Sequence, residues 1–308
     1  MSRRKISFST IVIVLMGLIG LGMLLYPTVS DWWNSFHQTQ VIASYEHAVE
    51  DLGKDERERV IRDAEQYNAA LLKSGSLWVM NESQKEDYES QLDITGTGIM
   101  GYVDIPKINV TLPIYHDTRD SVLQIAIGHI AGTSLPVGGR GTHCCVTGHR
   151  GLPSARLFTD LDLLDEGDLF TFTVLDRTIT YEVDQIRIVK PDELDDLAID
   201  PKRDYATLVT CTPYGVNSHR LLVRGHRVDN MPGAYTVLAD AVQIKPYLVA
   251  SVLAVPVVAM LLVWILIATS RRAGHQKARE QVADELRQRR VERESMARSF
   301  KEEDDHED

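Results

Sequence analysis

The stretch TLVTCTPYGVNSHRLLVRGHR, Thr207–Arg227, holds two β-like runs on either side of a short turn. The first, YATLVTC, alternates apolar residues with hydroxyls up to Cys211, and the second, HRLLVRGHR, resumes at His219 and Arg220 after Pro-Tyr-Gly. Apolar-alternating runs bounded by Pro, Gly and Asn read as strand, turn, strand. Such a hairpin carries Cys211 to the rim of a sheet and returns Arg220 beside it. That placement raises the choice between an inert core thiol and a nucleophile.

The neighbouring sequence has the same character. IMGYVDIPKINVTLPIY alternates and breaks at Pro106 and Pro113; SVLQIAIGHIAGT and a Gly-rich turn, LPVGGRGTH, follow. HCCVTGHRG is a short strand ending in a Gly-His-Arg-Gly loop, and DLFTFTVLDRTITYEVDQIRIVK has a hairpin signal at Leu175, Asp176 and Arg177. Many short strands without regular strand–helix alternation favour an all-β barrel or sandwich over a doubly wound sheet. Two helices are expected before them. One runs from cap candidates Ser30 and Asp31 to Gly53; the other, with Val60, Ile61, Ala64, Tyr67 and Leu71 at helical spacing, stops at Gly75. The segment SLWVMNESQKEDYESQLDITGTG reads as polar and turn-rich apart from LWVM.

Two apolar segments bracket this region. After the basic start MSRRK, residues 9–26 are long enough to cross a bilayer as an uncleaved anchor, and Tyr247–Ser270 is a second candidate span followed at once by RRAGHQKAR. Basic flanks outside both spans place both termini in the cytoplasm and Pro27 to Lys245 on the far side. The expected organisation is a cytoplasmic N-terminus 1–8, a span 9–26, helices with a lid-like loop 27–96, a β domain 97–235, a linker 236–246, a span 247–270 and a charged cytoplasmic tail 271–308.

Of the 308 residues, 33 are Lys or Arg and 44 Asp or Glu, a formal net charge of -11, which argues against a nucleic-acid partner. The three cysteines, Cys144, Cys145 and Cys211, cannot form a disulfide framework and lack zinc-site spacing. Adjacent Cys144 and Cys145 point to opposite faces of a strand and read as core. No phosphate-cradling glycine loop is present, so no metal or organic cofactor is expected.

A free thiol, with an ordinary pKa of about 8.5, is mostly protonated at neutral pH and needs a base or a cation to act as a nucleophile. His149, in the Gly-flanked loop TGHRGLP, suits the base, since imidazole can take the thiol proton and later give one to a leaving amine. Arg220 suits stabilisation of a developing oxyanion. His143, His129 and His219 are rivals for the base, and Arg224 shares the strand parity of Arg220.

Together, TLVTCTPYGVNSHRLLVRGHR, VTGHRGLPSARLFTDLDLL, GHIAGTSLPVGGRGTH and MGYVDIPKINVTLPIY resemble the class C, pilin-polymerising sortases of Gram-positive bacteria. The resemblance covers nearly the whole segment between the two spans. It implies an eight-stranded β-barrel with two N-terminal helices, flanked by two transmembrane helices. The implied activity is a cysteine transpeptidase that cleaves an LPXTG-like signal between Thr and Gly and joins it to a pilin lysine. Cys211 would be the nucleophile, His149 the general acid/base and Arg220 the oxyanion and substrate clamp. The implied partners are pilin subunits and the cell membrane. Class C members carry an Asp-Pro-aromatic lid where this chain has SGSLWVMNES, which leaves Trp78 as the candidate lid side chain. The alternatives are a sortase that anchors proteins to cell-wall peptidoglycan, a thiol hydrolase, and a membrane-tethered module without catalysis.

Overall fold

The computed structural model describes residues 8–230 except Leu77, with a few isolated helical positions beyond residue 258. The expected second span at Tyr247–Ser270 and the tail from Arg271 lie outside the described residues apart from those positions. Tyr26–Val242 forms one compact unit, which holds the β domain, while the chain before Tyr26 belongs to a second unit.

Helix α1 runs without a break from Phe8 to Asp51. Its N-terminal part is long and apolar enough to cross a membrane and is unburied. The sequence pattern suggested a span ending near Tyr26 and a new helix capped at Ser30 or Asp31. Instead Pro27 lies inside the helix, where proline removes one backbone donor without ending the element. Asp31 is released from a capping role and bonds to a distant loop. Helix α2, Lys54–Ser74, buries Ile61, Ala64, Asn68 and Leu71 on one face and ends before Gly75, whose φ of 81° suits glycine. A third helix, α3 at Glu82–Ser90, stands in the segment that reads as turn-rich. It opens on a capping box between Asn81 and Gln84 and buries only Tyr88, so it leaves no apolar stripe for periodicity to reveal.

The β domain comprises β1 (Ile99–Ile105), β2 (Val110–Tyr115), β3 (Ile127–His129), β4 (Thr142–Thr147), β5 (Leu169–Val174), β6 (Arg177–Val189), β7 (Asp204–Thr212) and β8 (His219–Val228). They close in the order β1-β2-β3-β4-β7-β8-β6-β5, with β5 pairing back to β1. Two neighbouring pairs, β2–β3 and β4–β7, are parallel, and the others are antiparallel. An eight-stranded barrel has an interior that side chains just fill. Val103, Ile114, Phe170, Phe172, Tyr181 and Leu208 fill this one, with the Phe170 ring stacked on Tyr181 at 5.6 Å. The expected hairpin at Leu175 and Asp176 joins β5 to β6.

Pro106 does break the chain, starting a short 3₁₀ turn after β1. Pro113 does not: it sits within β2 opposite Tyr102. β3 reaches β2 only at Ile114 and Tyr115, so no partner strand on that side needs the missing N–H. In SVLQIAIGHIAGT the strand is short, and a four-residue helix, α4 at Asp120–Leu123, precedes it.

Candidate active site

The parallel pairing of β4 with β7 decides the site. Its register runs from Thr142 opposite Asp204 to Thr147 opposite Val209, so both strands point their C-terminal ends to the same rim. The pairing continues one step past β4, where Gly148 N–H donates to Val209 O at 3.1 Å and Thr210 Oγ1 donates to Gly148 O at 2.8 Å. His149 follows directly, so the loop that carries it leaves β4 at the rim where Cys211 ends β7. Gly148 is required here by close approach: a Cβ would lie 2.8 Å from Ile127 Cγ2 and 2.9 Å from the Phe158 ring. On the other side β8 pairs Arg220 directly with Cys211. The residues proposed from sequence as base, nucleophile and cation therefore lie at, or in the case of His149 two residues past, the ends of three adjacent strands, and all three are half-buried.

Alternation along β7 explains why this thiol is accessible. Thr207, Val209 and Cys211 share the outer face of the barrel. Thr207 is covered through His143, which is hydrogen-bonded to Ala198 O in the β6–β7 connection. Val209 is buried in a small cluster with Cys145, Val189, Leu197 and Leu222. Cys211 emerges where that cover ends. Cys144 lies in the main core, while Cys145 lies in the outer cluster, so the two point to opposite faces as the sequence implies. Complete burial pushes both of their thiols well above the ordinary cysteine range.

The rivals are structurally committed. Arg224 forms a two-pronged pair with Asp184 at 2.9 and 3.1 Å and lies 4.2 Å over the Tyr205 ring. Arg220 donates only to the carbonyls of Asn217 and His219, and among the described residues no carboxylate pairs with it. His143 donates from Nδ1 to Ala198 O at 2.9 Å and accepts from Thr207 Oγ1 at 2.7 Å. His129 donates from Nε2 to Ser134 O at 2.8 Å and accepts from Tyr88 OH at 3.0 Å. His219 is bonded to Ser218 Oγ and pairs with Thr212 rather than with Cys211.

Burial disfavours the charged forms of His143 and His129 and pushes the latter down to about 4. A histidine held below its unfolded pKa of about 6.5 makes the unfolded state the better proton binder between those values, so stability falls as pH drops through that window. For His129, 2.5 units correspond to about 3 kcal/mol lost by pH 4. Thermal melts from pH 7 to pH 4 should therefore show a steeper decline for the native chain than for His129→Gln. Parallel curves would contradict the assignment. The difference between the two curves is the readout because Asp104 and Asp204, raised by desolvation, contribute the opposite sign at acid pH.

Trp78 lies in the loop between α2 and α3 and is 40% exposed, beside the more exposed Val79. Among the described residues no hydrogen bond or ring contact ties it to Cys211, His149 or Arg220. No three of His, Cys, Asp and Glu converge as metal ligands among the described residues. Sequence reasoning missed two features of this rim. The Tyr214 ring lies against Gly151, whose added Cβ would stand 2.5 Å from Tyr214 Cε2, and α1 bonds to the loop after His149. The only local sign of the first is a glycine with a φ of 76°. Nothing local announces the second.

The Sortase domain family matches residues 103–228, a span that contains His149, Cys211 and Arg220. Sortase D of Bacillus subtilis (strain 168) is 28% identical over 131 residues, which are 42% of this chain and 63% of that protein. The chain thus spans somewhat less than two thirds of this curated relative. Among solved structures, sortase C1 from Streptococcus agalactiae is 54% identical with a TM-score of 0.62, covering 62% of this chain and 100% of that one. Clostridium perfringens sortase C, solved with the C-terminal cell wall sorting motif, is 38% identical with a TM-score of 0.54, covering 62% of this chain and 100% of that one. With identity above half across the whole of the solved sortase C1 chain and the barrel in common, this chain belongs to the sortase family.

Proposed function

We propose that the chain is a membrane-anchored cysteine transpeptidase of the pilin-polymerising type. It cleaves an LPXTG-like sorting signal between Thr and Gly and transfers the acyl group to a lysine amine of a pilin subunit. The observation that supports this reading is that β4 and β8 flank β7, with Arg220 paired opposite Cys211 and His149 two residues past the end of β4. The anchor is the apolar part of α1, and the basic residues outside the apolar segments support a barrel on the far side of the membrane from the cytoplasm.

In this reaction His149 takes the Cys211 proton as the sulfur attacks the Thr carbonyl carbon. The oxyanion that forms is stabilised by the Arg220 guanidinium, which has no competing carboxylate among the described residues. Collapse of the intermediate breaks the C–N bond, and His149 returns its proton to the departing glycine amine, leaving a thioester. A lysine ε-amine then attacks the thioester carbonyl, gives up a proton to His149 and forms an isopeptide bond. The proton passes to the departing thiolate and restores Cys211. Trp78, large and exposed on the loop ahead of the barrel, is the lid side chain in this reading, and its removal should speed access to the thiol.

The test is to incubate the full chain in detergent with an LPXTG-like peptide and a pilin carrying its lysine, and to read the products by mass spectrometry. An isopeptide-linked product supports the proposal. Transfer only to a peptidoglycan-type amine identifies a wall-anchoring sortase, release of the free acid alone identifies a hydrolase, and an unreacted peptide with an unmodified thiol identifies a module without catalysis. Trp78→Ala in the same assay should give faster Cys211 labelling, and an unchanged rate would remove the lid role.

A further inference from the structure

We infer that Asp31 and Asn34 of α1 are positioning residues for His149, holding the loop that carries it from outside the barrel. This rests on the assignment of Cys211 and His149 made above.

The loop after β4 is closed at its base by Phe158 N–H donating to His149 O at 3.1 Å, and Phe158 is fully buried. Between these points no residue from Arg150 to Leu157 belongs to a helix or strand. Leu157 has a φ of 42°, a left-handed conformation that costs a non-glycine residue about 1 kcal/mol or more and persists only where the surroundings enforce it. Local bonds brace the loop, Gly151 N–H to Thr159 Oγ1 and Thr159 N–H to Arg156 O, and further contacts come from far away in sequence. Asp31 Oδ1 accepts from Arg156 N–H at 3.0 Å, and Asn34 Nδ2 donates to Ser154 O at 2.7 Å. Three residues apart, the two side chains lie on one helix face. One turn further, Gln38 Nε2 donates to Ile125 O at 2.7 Å.

The helix is a rigid mount for this clasp. Tyr45 OH, almost fully buried, donates to Met100 O at 3.0 Å and accepts from Leu175 N–H at 2.9 Å. Glu46 accepts from Tyr102 OH. These bonds fix α1 to β1 and the β5–β6 turn, about 16 Å along the helix from Asn34. Trp32, Trp33 and Phe36 occupy the other face of α1 and are exposed, so the clasp uses the face turned to the barrel. On its far side the same loop is met by Tyr214, which packs on Gly151 from the turn that follows Cys211. His149 is therefore carried on a loop that bonds to α1 and packs against Tyr214 of the β7–β8 turn. A displacement of about 1 Å in such a group costs roughly 10²-fold in rate.

The test uses the full chain in detergent, with two readouts on Asp31→Leu/Asn34→Leu, Asp31→Asn, the two single leucine variants and His149→Ala. One readout is cleavage of an LPXTG-like peptide. The other is alkylation of Cys211 by iodoacetamide at pH 7, which needs no substrate, and each is run at 25 °C beside a melting curve. The double leucine variant should lose roughly 10- to 100-fold in kcat with KM unchanged. It should also lose most of the alkylation rate that separates the native chain from His149→Ala. Asp31→Asn, which keeps an oxygen acceptor for Arg156 N–H, should retain both rates. If the double variant is too unstable, the single leucine variants carry the same comparison. Native-rate alkylation in the leucine variants beside slow His149→Ala would overturn the positioning role and leave the active-site reading intact. Native-rate alkylation in His149→Ala itself would remove both.

Discussion

Cys211→Ala is expected to abolish thioacyl capture of a sorting-signal peptide and to lower kcat by about 10⁶-fold, to the limit of detection. The loss is total because neither remaining cysteine can substitute. Cys144 is sealed in the main core and Cys145 in the outer cluster, both fully buried and both with thiols that burial keeps protonated. Intact-mass spectrometry after incubation with peptide should show one acyl adduct on the native chain and none on the variant. An adduct that survives on Cys211→Ala would mean that Cys144 or Cys145 is reachable, contrary to the packing. The melting temperature should change little, because Cys211 sits past the point where the β6–β7 connection covers the strand.

Arg220→Ala is expected to lower kcat by roughly 10²–10³-fold, the usual cost of removing one oxyanion donor, while leaving the fold intact. The control is Arg224→Met, four residues along the same strand and on the same face. Its guanidinium is held by Asp184 and stacked on Tyr205, so its removal should lower the melting temperature and spare kcat. Peptide cleavage measured beside thermal melts separates the two. Full activity in Arg220→Ala with a loss in Arg224→Met would reverse the assignment. Arg220→Lys should recover only part of the rate, since an ammonium keeps the charge but not the planar fork of donors.

Much of this was legible in the chain. Strand alternation and turn residues gave the β4 strand, the β5–β6 hairpin and the β7–β8 hairpin, and the last of these already paired Cys211 with Arg220. Helix stops at Gly53 and Gly75 were legible because glycine breaks the pattern at both. Where local pattern was weak, the reading failed. α3 buries a single residue, Pro113 sits in β2 just ahead of its pairing with β3, and Pro27 does not end α1.

By itself, the sequence determined which groups were available: a lone thiol at a strand end, a histidine in a glycine-flanked loop and an arginine returned by a short turn. These are local facts, set by residue type and spacing within one or two elements. Only the tertiary structure sets the candidates apart. The parallel β4–β7 pairing puts His149, 62 positions before Cys211, at the same rim, while His129 and His143 are fully bonded in buried sites. Arg224 is claimed by Asp184, 40 residues away, and α1 reaches across about 120 residues to the loop that holds His149. Each of these choices is made by contacts distant in sequence, and those exist only once the barrel has closed.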